Sequence, residues 1–379
     1  MTLYVERLHL YLEEYLRRAG IDLRVTVMKP PPLGLLGSGK VGRNSRLGYA
    51  LQKFNRYLLY QGVLSLRAGR LNFQGQKALF HITDPTYAHL GYGLPSHAQV
   101  ITVHDLILLR LKNGSLPVAS GFYPATAIRS FELLSLPQLR RTPLLIADSQ
   151  HTAYELVNLA GVNPSKIRQI YLGVGAEFKP IHDQSKLAEV RQRYSLPEKY
   201  LLHVGHNGFY KNISAVLESL ARLLPDFPDL YLVKVGATFT AEQEEQVKRF
   251  GLENSIVRLN MVPACDLPAI YNLAKMLVFP SLYEGFGWPP LEAMACGTPV
   301  VTSPVGAIPE VVGEAAALVA PSDLSGLVAT IRRLLEDEAW RQRCKEAGLQ
   351  QSARFTWAET ARKTAEVYLE LLELNRQKC

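Results

Sequence analysis

Short apolar runs that alternate with helical runs are the feature of this 379-residue chain that most restricts its fold. Five such runs fall between residues 200 and 302, and a stretch of helical periodicity separates each from the next. They cover residues 200–204, 230–235, 256–259, 276–279 and 299–302. Strands of this kind, separated by helices, form a parallel sheet that helices cover on both faces. The sequence therefore predicts an α/β protein.

The N-terminal half shows a less regular form of the same pattern. It opens on a predicted helix, because apolar residues from Val5 to Ala19 follow helical spacing until Gly20 ends them. A strand is predicted at residues 23–27, before a loop rich in proline and glycine. The remaining predicted elements are a helix at 47–66, strands at 78–83, 99–103 and 144–147, and a helix at 149–160.

The length of the chain and a break near Lys179-Pro180 predict two domains. Single cores stop growing at roughly 250 to 300 residues, and the chain is longer than that. We predict one domain over residues 1–180 and a second over 181–355. Ligands of open α/β sheets bind outside the carboxyl ends of the strands, so we expect the site in a cleft between two domains that face each other.

Cysteine spacing and hydropathy predict a cytosolic protein. The four cysteines lie far apart without a C-x-x-C pair, which fits free thiols in a reducing compartment and argues against structural zinc. They are Cys265, Cys296, Cys344 and Cys379. No apolar run approaches the roughly 18 to 20 residues of a spanning helix, and the N-terminus resembles no signal peptide. Membrane association, if present, would be peripheral.

Positive charge is concentrated in the first half of the sequence. The net charge is +8 in total, +11 over residues 1–180 and −3 over the remainder. A basic half can attract anionic lipid headgroups, nucleic acid or an anionic acceptor, although many basic surfaces are only solvated. For nucleic acid there is no support beyond charge, because no aromatic platform or binding motif accompanies it.

The segment EGFGWPPLE, from Glu284 to Glu292, places two carboxylates eight positions apart across a glycine-rich turn between a strand and a helix. Gly285 and Gly287 let the backbone approach a ligand closely. Proline suits the first helical turn, and the free N–H groups of a helix start can bind phosphate. The plainer alternative is that Glu292 complements the helix dipole and Glu284 is a solvated loop residue.

A second turn of this kind follows the strand at 200–204. Gly205 opens the turn, and Lys211 stands near the start of the following helix. A cation beside free N–H groups would neutralise a diphosphate leaving group. On its own Lys211 would be interpreted as a surface lysine. Together with Glu284 and Glu292 on a neighbouring turn, it favours phosphate contact.

These segments, taken in order, resemble the retaining glycosyltransferases of family 4, which have the two-domain GT-B fold. The resemblance covers roughly residues 80 to 372 and is most specific after residue 200. In the second half it rests on VG at 204–205 with KN at 211–212, PSLYEGFG at 280–287, EAMACGTPV at 292–300 and PEVVG at 309–313. In the first half it rests on ADS at 147–149 with Thr152, Ile170, GV at 173–174 and Phe178.

The resemblance implies a role for each matching position in donor binding. Lys211 would bind the diphosphate, Glu284 would contact the sugar hydroxyls near the reacting carbon, and Glu292 would hold the ribose hydroxyls. The other donor-binding positions would be Gly205, His206, Gly285, Phe286 and Gly287. His104 matches a position that faces the sugar and the acceptor. The helix predicted within residues 356–379 would cross back onto the first domain, and domain closure would exclude water from the site.

The sequence departs from the family pattern at two places, one in the donor half of the site and one in the first domain. Many members place an arginine beside the diphosphate-binding lysine, whereas this chain has His206 and Tyr210 there. The family's first domain also begins with a strand and a glycine-rich loop before its first helix, and this sequence has neither ahead of the helix at Met1. We therefore expect the first domain to lack its first strand. An extended upstream coding sequence would be expected to supply it.

The function implied is metal-independent transfer of a sugar from a GDP- or UDP-sugar to a hydroxyl acceptor, with retention at the anomeric carbon. The absence of any Asp-x-Asp sequence fits this, because Lys211 and helix dipoles would replace a cation. A glycan or lipid-linked acceptor is favoured by the basic first half, and no cofactor is expected.

Two other functions are alternatives to this one. A nicotinamide-dependent oxidoreductase would share the sheet class, but no G-x-G-x-x-G follows a strand with an acidic residue about 20 positions further on. A non-catalytic or impaired sugar-nucleotide-binding protein stays open, because the first domain lacks a strand and the arginine is absent. Intact Glu284, Glu292 and Lys211 oppose that alternative.

Overall fold

A computed structural model describes residues 2–28, 60–73, 78–116 and 124–377 of the chain. The chain divides into two compact units. The first comprises residues 1–115, 123–171 and 357–379, and the second comprises residues 116–122 and 172–356. Both are built on a parallel sheet covered by helices, which confirms the α/β class.

The sheet of the first unit has four parallel strands in the order β1-β2-β3-β4 within the described residues. They are β1 (Phe80–Ile82), β2 (Gln99–Val103), β3 (Leu144–Ala147) and β4 (Ile167–Gln169). In register, Ile101 of β2 pairs with Leu145 of β3. Every residue of β2 and β3 is buried, as expected for strands that helices cover on both faces.

Two long helices close one side of this sheet. Thr2–Arg18 buries Tyr4, Leu8, Leu12 and Leu16, whose spacing of four places them on one face. The helix Trp357–Arg376 packs against it, and both helices contribute to a core cluster with β2 and β3. The other α-helices of the unit are Tyr60–Phe73, Ile107–Lys112, Ala125–Ser130, Leu136–Arg141 and Gln150–Asn158. Phe131–Ser135 forms a π-helical turn, and Pro85–Gly93, Ser96–Ala98 and Pro164–Lys166 are 3₁₀ turns.

The N-terminal segment corrects one prediction. Residues 23–27 form no strand; they run without regular structure beside the sheet, where Leu23 and Val25 are partly buried against the core cluster. Alternating burial thus arises here from packing alone, without a ladder of hydrogen bonds. The described residues ahead of Phe80 contain two helices and no strand. The predicted loop and most of the predicted helix 47–66 lie outside the described residues, and the described helix begins at Tyr60.

The sheet of the second unit has six parallel strands in the order β10-β9-β8-β5-β6-β7. They are β5 (Tyr200–Val204), β6 (Tyr231–Val235), β7 (Ile256–Leu259), β8 (Met276–Phe279), β9 (Val300–Thr302) and β10 (Ala317–Leu318). The chain adds β6 and β7 on one side of β5 and then returns to add β8, β9 and β10 on the other. The strand order therefore reverses between β5 and β8, which is where open sheets of this type bind ligands.

Helices cover both faces of this second sheet. They are Gln184–Arg193, Ile213–Leu223, Ala241–Arg249, Leu267–Leu273, Trp288–Ala295, Ile308–Val312, Leu324–Glu336 and Glu338–Ser352. A core of buried aliphatic residues from Ile213–Leu223 and Leu324–Glu336 packs against β5, β6 and β8. Asp183, Thr240, Asp323 and Asp337 cap four helix starts with side-chain oxygens.

None of the helices in the described part of the chain is long and apolar enough to cross a membrane.

Candidate functional site

The switch point of the second sheet brings two loops together. One loop follows β5 and contains Gly205 and Lys211; the other follows β8 and contains Glu284. The backbone N–H of Leu282 donates to the carbonyl of Tyr210 at 2.7 Å, which joins the two loops directly. Sequence positions about 70 residues apart therefore meet at the carboxyl edge of the sheet, as parallel topology requires.

Lys211 lies in a 3₁₀ turn, Phe209–Lys211, one turn ahead of the helix Ile213–Leu223. Its Nζ donates to Oε1 of Glu284 at 2.6 Å, and the side chains are only 9% and 10% exposed. The ammonium also lies 4.7 Å from the centre of the Phe279 ring and 5.3 Å from that of Tyr210. A buried cation held by one carboxylate and two ring faces is a strong local charge in a weakly screened place.

Glu284 is fixed from several directions. Ser281 Oγ donates to the same Oε1 at 2.7 Å. The Glu284 carbonyl accepts the N–H of Ala307 at 3.1 Å, and Gly306 packs so closely that a Cβ there would lie 2.1 Å from that carbonyl oxygen. With a φ of +56°, position 306 suits glycine twice over. The carboxylate is thus held in one orientation before any ligand arrives.

The turn between Glu284 and Glu292 has the form predicted from its glycines and prolines. Gly287 caps the helix Trp288–Ala295 with a φ of +103°, and a Cβ there would lie 2.6 Å from Ile308 Cδ1. Phe286 is buried and makes an edge contact with Phe355. Its side chain therefore anchors the turn in the core.

Glu292 has a different partner from Glu284. Its Oε2 accepts a hydrogen bond from the hydroxyl of buried Tyr271 at 2.8 Å. Burial, with the charge of Glu292, holds the pKa of Tyr271 well above its usual value, so the phenol remains a donor. The two carboxylates are thus organised separately, one by a lysine and a serine and the other by a tyrosine.

His206 is exposed, but its ring is oriented by the turn. Gly208 N–H donates to Nδ1 at 3.2 Å, and Nε2 lies 2.8 Å from the hydroxyl of Tyr210. Nδ1 is therefore an acceptor, which places the proton of the neutral ring on Nε2. Partial burial, with the charge of Lys211, lowers the pKa of His206. The ring thus does not replace the positive charge of an arginine at this position.

Three residues of this site were not predicted from the sequence. Lys234 in β6 is buried with its Nζ directed at the Gly205 carbonyl, at 2.7 Å. Ser281 and Phe279 complete the surroundings of Glu284 and Lys211. A charged residue inside an apolar strand that ends at a glycine turn is the signal that could have identified Lys234.

His104 belongs to the first unit, at the carboxyl end of β2. Its Nδ1 lies 3.0 Å from Oδ2 of Asp148 and its Nε2 lies 3.0 Å from the carbonyl of Thr83. Both ring nitrogens are therefore engaged, and Tyr4 packs edge-on against the ring. Burial disfavours the imidazolium, but the hydrogen bond and charge of Asp148 outweigh it, and the pKa of His104 is raised. Burial also raises the pKa of Asp148, to about 6.

A pocket of about 220 Å³ opens beside His104 within the first unit. Its polar lining comes from Asp84, Thr86, His104 and Asp105, and Phe131 contributes an aromatic wall. The described residues contain no cluster of three or more histidine, cysteine, aspartate or glutamate side chains that could hold a metal ion.

Two glycosyltransferase family models together match most of the chain. The family model described as Glycosyl transferases group 1 matches residues 188–351. The model described as Glycosyltransferase Family 4 matches residues 5–178. The switch-point loops lie in the first of these matches and His104 in the second.

Similarity to individual proteins points the same way. The serotype-specific mannosyltransferase WbdA of Escherichia coli is 32% identical over 284 residues, which are 73% of this chain and 34% of WbdA. The chain thus spans about a third of that relative's length. The O-antigen chain mannosyltransferase B of Escherichia coli is 30% identical over 77% of this chain and 76% of its own. The crystal structure of Anabaena HepE in complex with UDP and glucose shares the fold, with a TM-score of 0.68 at 20% identity over 94% of this chain and 89% of HepE.

Proposed function

This chain belongs to the group 1 glycosyltransferases of GT-B fold, and we propose that it moves a hexose from a nucleoside diphosphate sugar to a hydroxyl group of a glycan acceptor. The anomeric configuration is retained and no metal ion takes part. The observation that carries the proposal is the buried Lys211–Glu284 pair at the switch point of the second sheet.

The donor binds at the two switch-point loops. Lys211 contacts the diphosphate, since a lysine ammonium is a point charge well suited to phosphate. Glu284 accepts hydrogen bonds from sugar hydroxyls, and Glu292, oriented by Tyr271, holds the ribose hydroxyls. The remaining donor contacts come from the turn at Gly205 and His206 and from the backbone of Gly285, Phe286 and Gly287.

The chemistry follows from how these groups are already engaged. The bond from the anomeric carbon to the diphosphate oxygen breaks, the acceptor oxygen bonds to the same face of that carbon, and the acceptor proton passes to the departing diphosphate. Lys211 stabilises the negative charge that develops on the diphosphate. Glu284 and Glu292 are each tied to a partner, so neither serves as the acid or base of a hydrolytic pair.

Mannose is the proposed donor sugar, because the two relatives described above, each at least 30% identical, are mannosyltransferases. The nucleotide is GDP or UDP. The same relatives support a polysaccharide acceptor of the O-antigen type. In the first unit, His104 and the pocket beside it contact the acceptor. The basic N-terminal half supports peripheral contact with anionic lipid on the cytoplasmic side.

The test is a transfer assay with the full chain, GDP-mannose or UDP-glucose, and a mannoside acceptor, in the presence and absence of a chelator. We expect chelator-resistant transfer from one donor and an α-linked product from an α-linked donor by NMR. Inversion or loss of activity with the chelator would overturn the mechanism. Tight donor binding with neither transfer nor donor hydrolysis across a panel of acceptors would instead support the non-catalytic sugar-nucleotide-binding alternative.

A further inference from the structure

Lys234 is a buried charge in a strand where an aliphatic residue would be expected. The other four residues of β6 are apolar and begin with Tyr231. Lys234 pairs in register with His203 of β5. Only 2% of the residue is exposed. Burying an ammonium is costly unless hydrogen bonds replace its water, so the position needs a specific explanation.

The ammonium of Lys234 is satisfied entirely by backbone carbonyls. Nζ donates to Gly205 O at 2.7 Å, to Val235 O at 3.1 Å and to Ala237 O at 3.4 Å. These carbonyls belong to the turn after β5, to the last residue of β6 and to the turn after β6. Within the described residues no carboxylate forms an ion pair with Lys234, so its positive charge stays uncompensated.

The turn that Lys234 holds is the one that carries Lys211. Gly205 N–H donates to Val235 O at 2.9 Å, which extends the β5–β6 ladder by one residue, and Lys234 then ties the next carbonyl. The turns approach so closely that a Cβ at Gly236 would lie 2.3 Å from Gly205 O. On its other side, a Cβ at Gly205 would lie 3.9 Å from Lys211 Cε. Gly205 therefore separates the two lysines.

We propose that Lys234 is a positioning residue of the donor site, which fixes the Gly205 turn and supplies a second positive charge behind the diphosphate. The proposal rests on the proposed function. Of the two buried lysines, one is neutralised by Glu284 and the other by no carboxylate, which leaves one net positive charge for an anionic ligand. It takes the place of the arginine that His206, neutral and exposed, does not provide.

The charge of Lys234 gives the proposal a pH signature. Burial, with a smaller effect from the charge of Lys211, lowers the pKa of Lys234 to about 8. The other titratable groups that interact with Lys234 are His203, whose pKa burial lowers to about 3, and His206. Donor affinity is therefore highest at pH values well below 8. It falls as the pH rises through about 8, because Lys234 loses its proton there.

The experiment measures donor KM, acceptor KM and kcat for wild type, Lys234→Met and Lys234→Gln between pH 7 and 9.5. We expect Lys234→Met to raise the donor KM by roughly 10- to 100-fold, equivalent to 1.4–2.8 kcal/mol, with little change in acceptor KM. Lys234→Gln keeps two N–H donors, so it should retain the turn and yet lose the rise of donor KM with pH. The matched control is Lys199→Met at the opposite end of β5, where the lysine pairs with Asp229.

Several outcomes would overturn the inference. One is a donor KM in Lys234→Gln that rises with pH as in wild type, and another is a wild-type donor KM that stays flat over this range. Equal rises of donor and acceptor KM in Lys234→Met would indicate general disruption rather than positioning. If Lys234→Met does not fold, the Lys234→Gln profile decides alone. An inactive wild type would contradict the proposed function instead, and the comparison would then use binding of the nucleoside diphosphate.

Discussion

Lys211 Nζ and Glu284 Oε1 lie 2.6 Å apart, and both side chains are nearly closed off from solvent. The pair joins the turn after β5 to the turn after β8, so it is both an electrostatic feature of the site and a tertiary contact. Such a pair holds its geometry only while both charges are present, because either one alone is a buried, uncompensated ion.

Replacing only one residue of this pair should therefore lower the free energy of unfolding more than would be expected from replacing both. We expect Lys211→Met or Glu284→Gln alone to lower the free energy of unfolding by about 3–5 kcal/mol, and the double variant to cost clearly less than the sum of the two. Urea unfolding measures the cycle. The exposed pair Arg222–Glu218, on the helix Ile213–Leu223, serves as the control, and its double-mutant cycle should give at most about 1 kcal/mol. Additive effects at Lys211 and Glu284 would contradict the coupling.

Activity should depend on the same two residues as well as stability. Each single variant is expected to lower kcat/KM by about 10²- to 10³-fold, because a preorganised charge contact at the developing diphosphate charge is lost. Steady-state transfer at saturating acceptor, on protein shown by circular dichroism to be folded, measures this. Turnover close to wild type in either variant would contradict the assigned roles.

Gly306 allows a test of how tightly the Glu284 carbonyl must be packed. A Cβ at position 306 would lie 2.1 Å from that oxygen, whereas one at Gly251 meets nothing within 4 Å. Both glycines have left-handed backbones, with φ of +56° and +66°, so alanine should strain each by roughly 1–2 kcal/mol. Only Gly306→Ala should also lower activity, because it must displace the Glu284 loop. Similar losses of activity in both variants would point to general strain.

The parts of this site that local sequence specifies could be predicted from it. Lys211 and Glu284 each lie in a glycine-containing turn that follows a strand, and parallel topology brings such turns to one sheet edge. The position of Lys234 inside an apolar strand is visible in the sequence, but its role could not be predicted, because that role depends on the carbonyl of a turn contributed by another strand. The apolar residues at 23–27 were wrongly predicted as a strand for a related reason, since packing against a core produces the same alternation as pairing in a sheet.

The partners of histidines were equally beyond the sequence. The family resemblance indicated His104, but its bond to Asp148 joins residues 44 positions apart. For His206 the hydrogen bonds from Gly208 and to Tyr210 decide the protonated nitrogen, and they depend on the exact path of the turn. Long-range hydrogen bonds of this kind set charge states, whereas periodicity specifies only which face of an element is buried.

Tyr271 provides a test of the second carboxylate. Its hydroxyl donates to Glu292, so Tyr271→Phe removes one hydrogen bond to a charged group, worth about 1.5–3 kcal/mol. We expect a donor KM raised by roughly 10- to 100-fold. Tyr200→Phe is the matched control, because that buried hydroxyl bonds the Ile270 carbonyl at 2.6 Å, away from Glu292. It should lower stability without changing the donor KM, and a similar change of KM in both variants would contradict a specific role for Tyr271.

The stability of the first unit should depend on pH through His104 and Asp148. The pKa of each is raised in the folded protein, that of Asp148 to about 6, so the folded state binds more protons than the unfolded state. Stability therefore falls with rising pH. The contribution of His104 is complete below its unfolded pKa of about 6.5 and is lost as pH rises through its higher folded pKa.

The difference in Tm between wild type and His104→Gln reports the effect of His104 together with that of the two groups whose pKa its charge changes, Asp148 and His81. Groups remote from His104 titrate alike in both proteins. We expect the advantage of wild type to shrink between pH 6 and 8.5. Asp148→Asn should abolish that shrinkage, since it removes the hydrogen-bonded charge that raises the pKa of His104. An advantage that stays constant with pH, or grows, would show that His104 is not held as a proton-binding partner of Asp148.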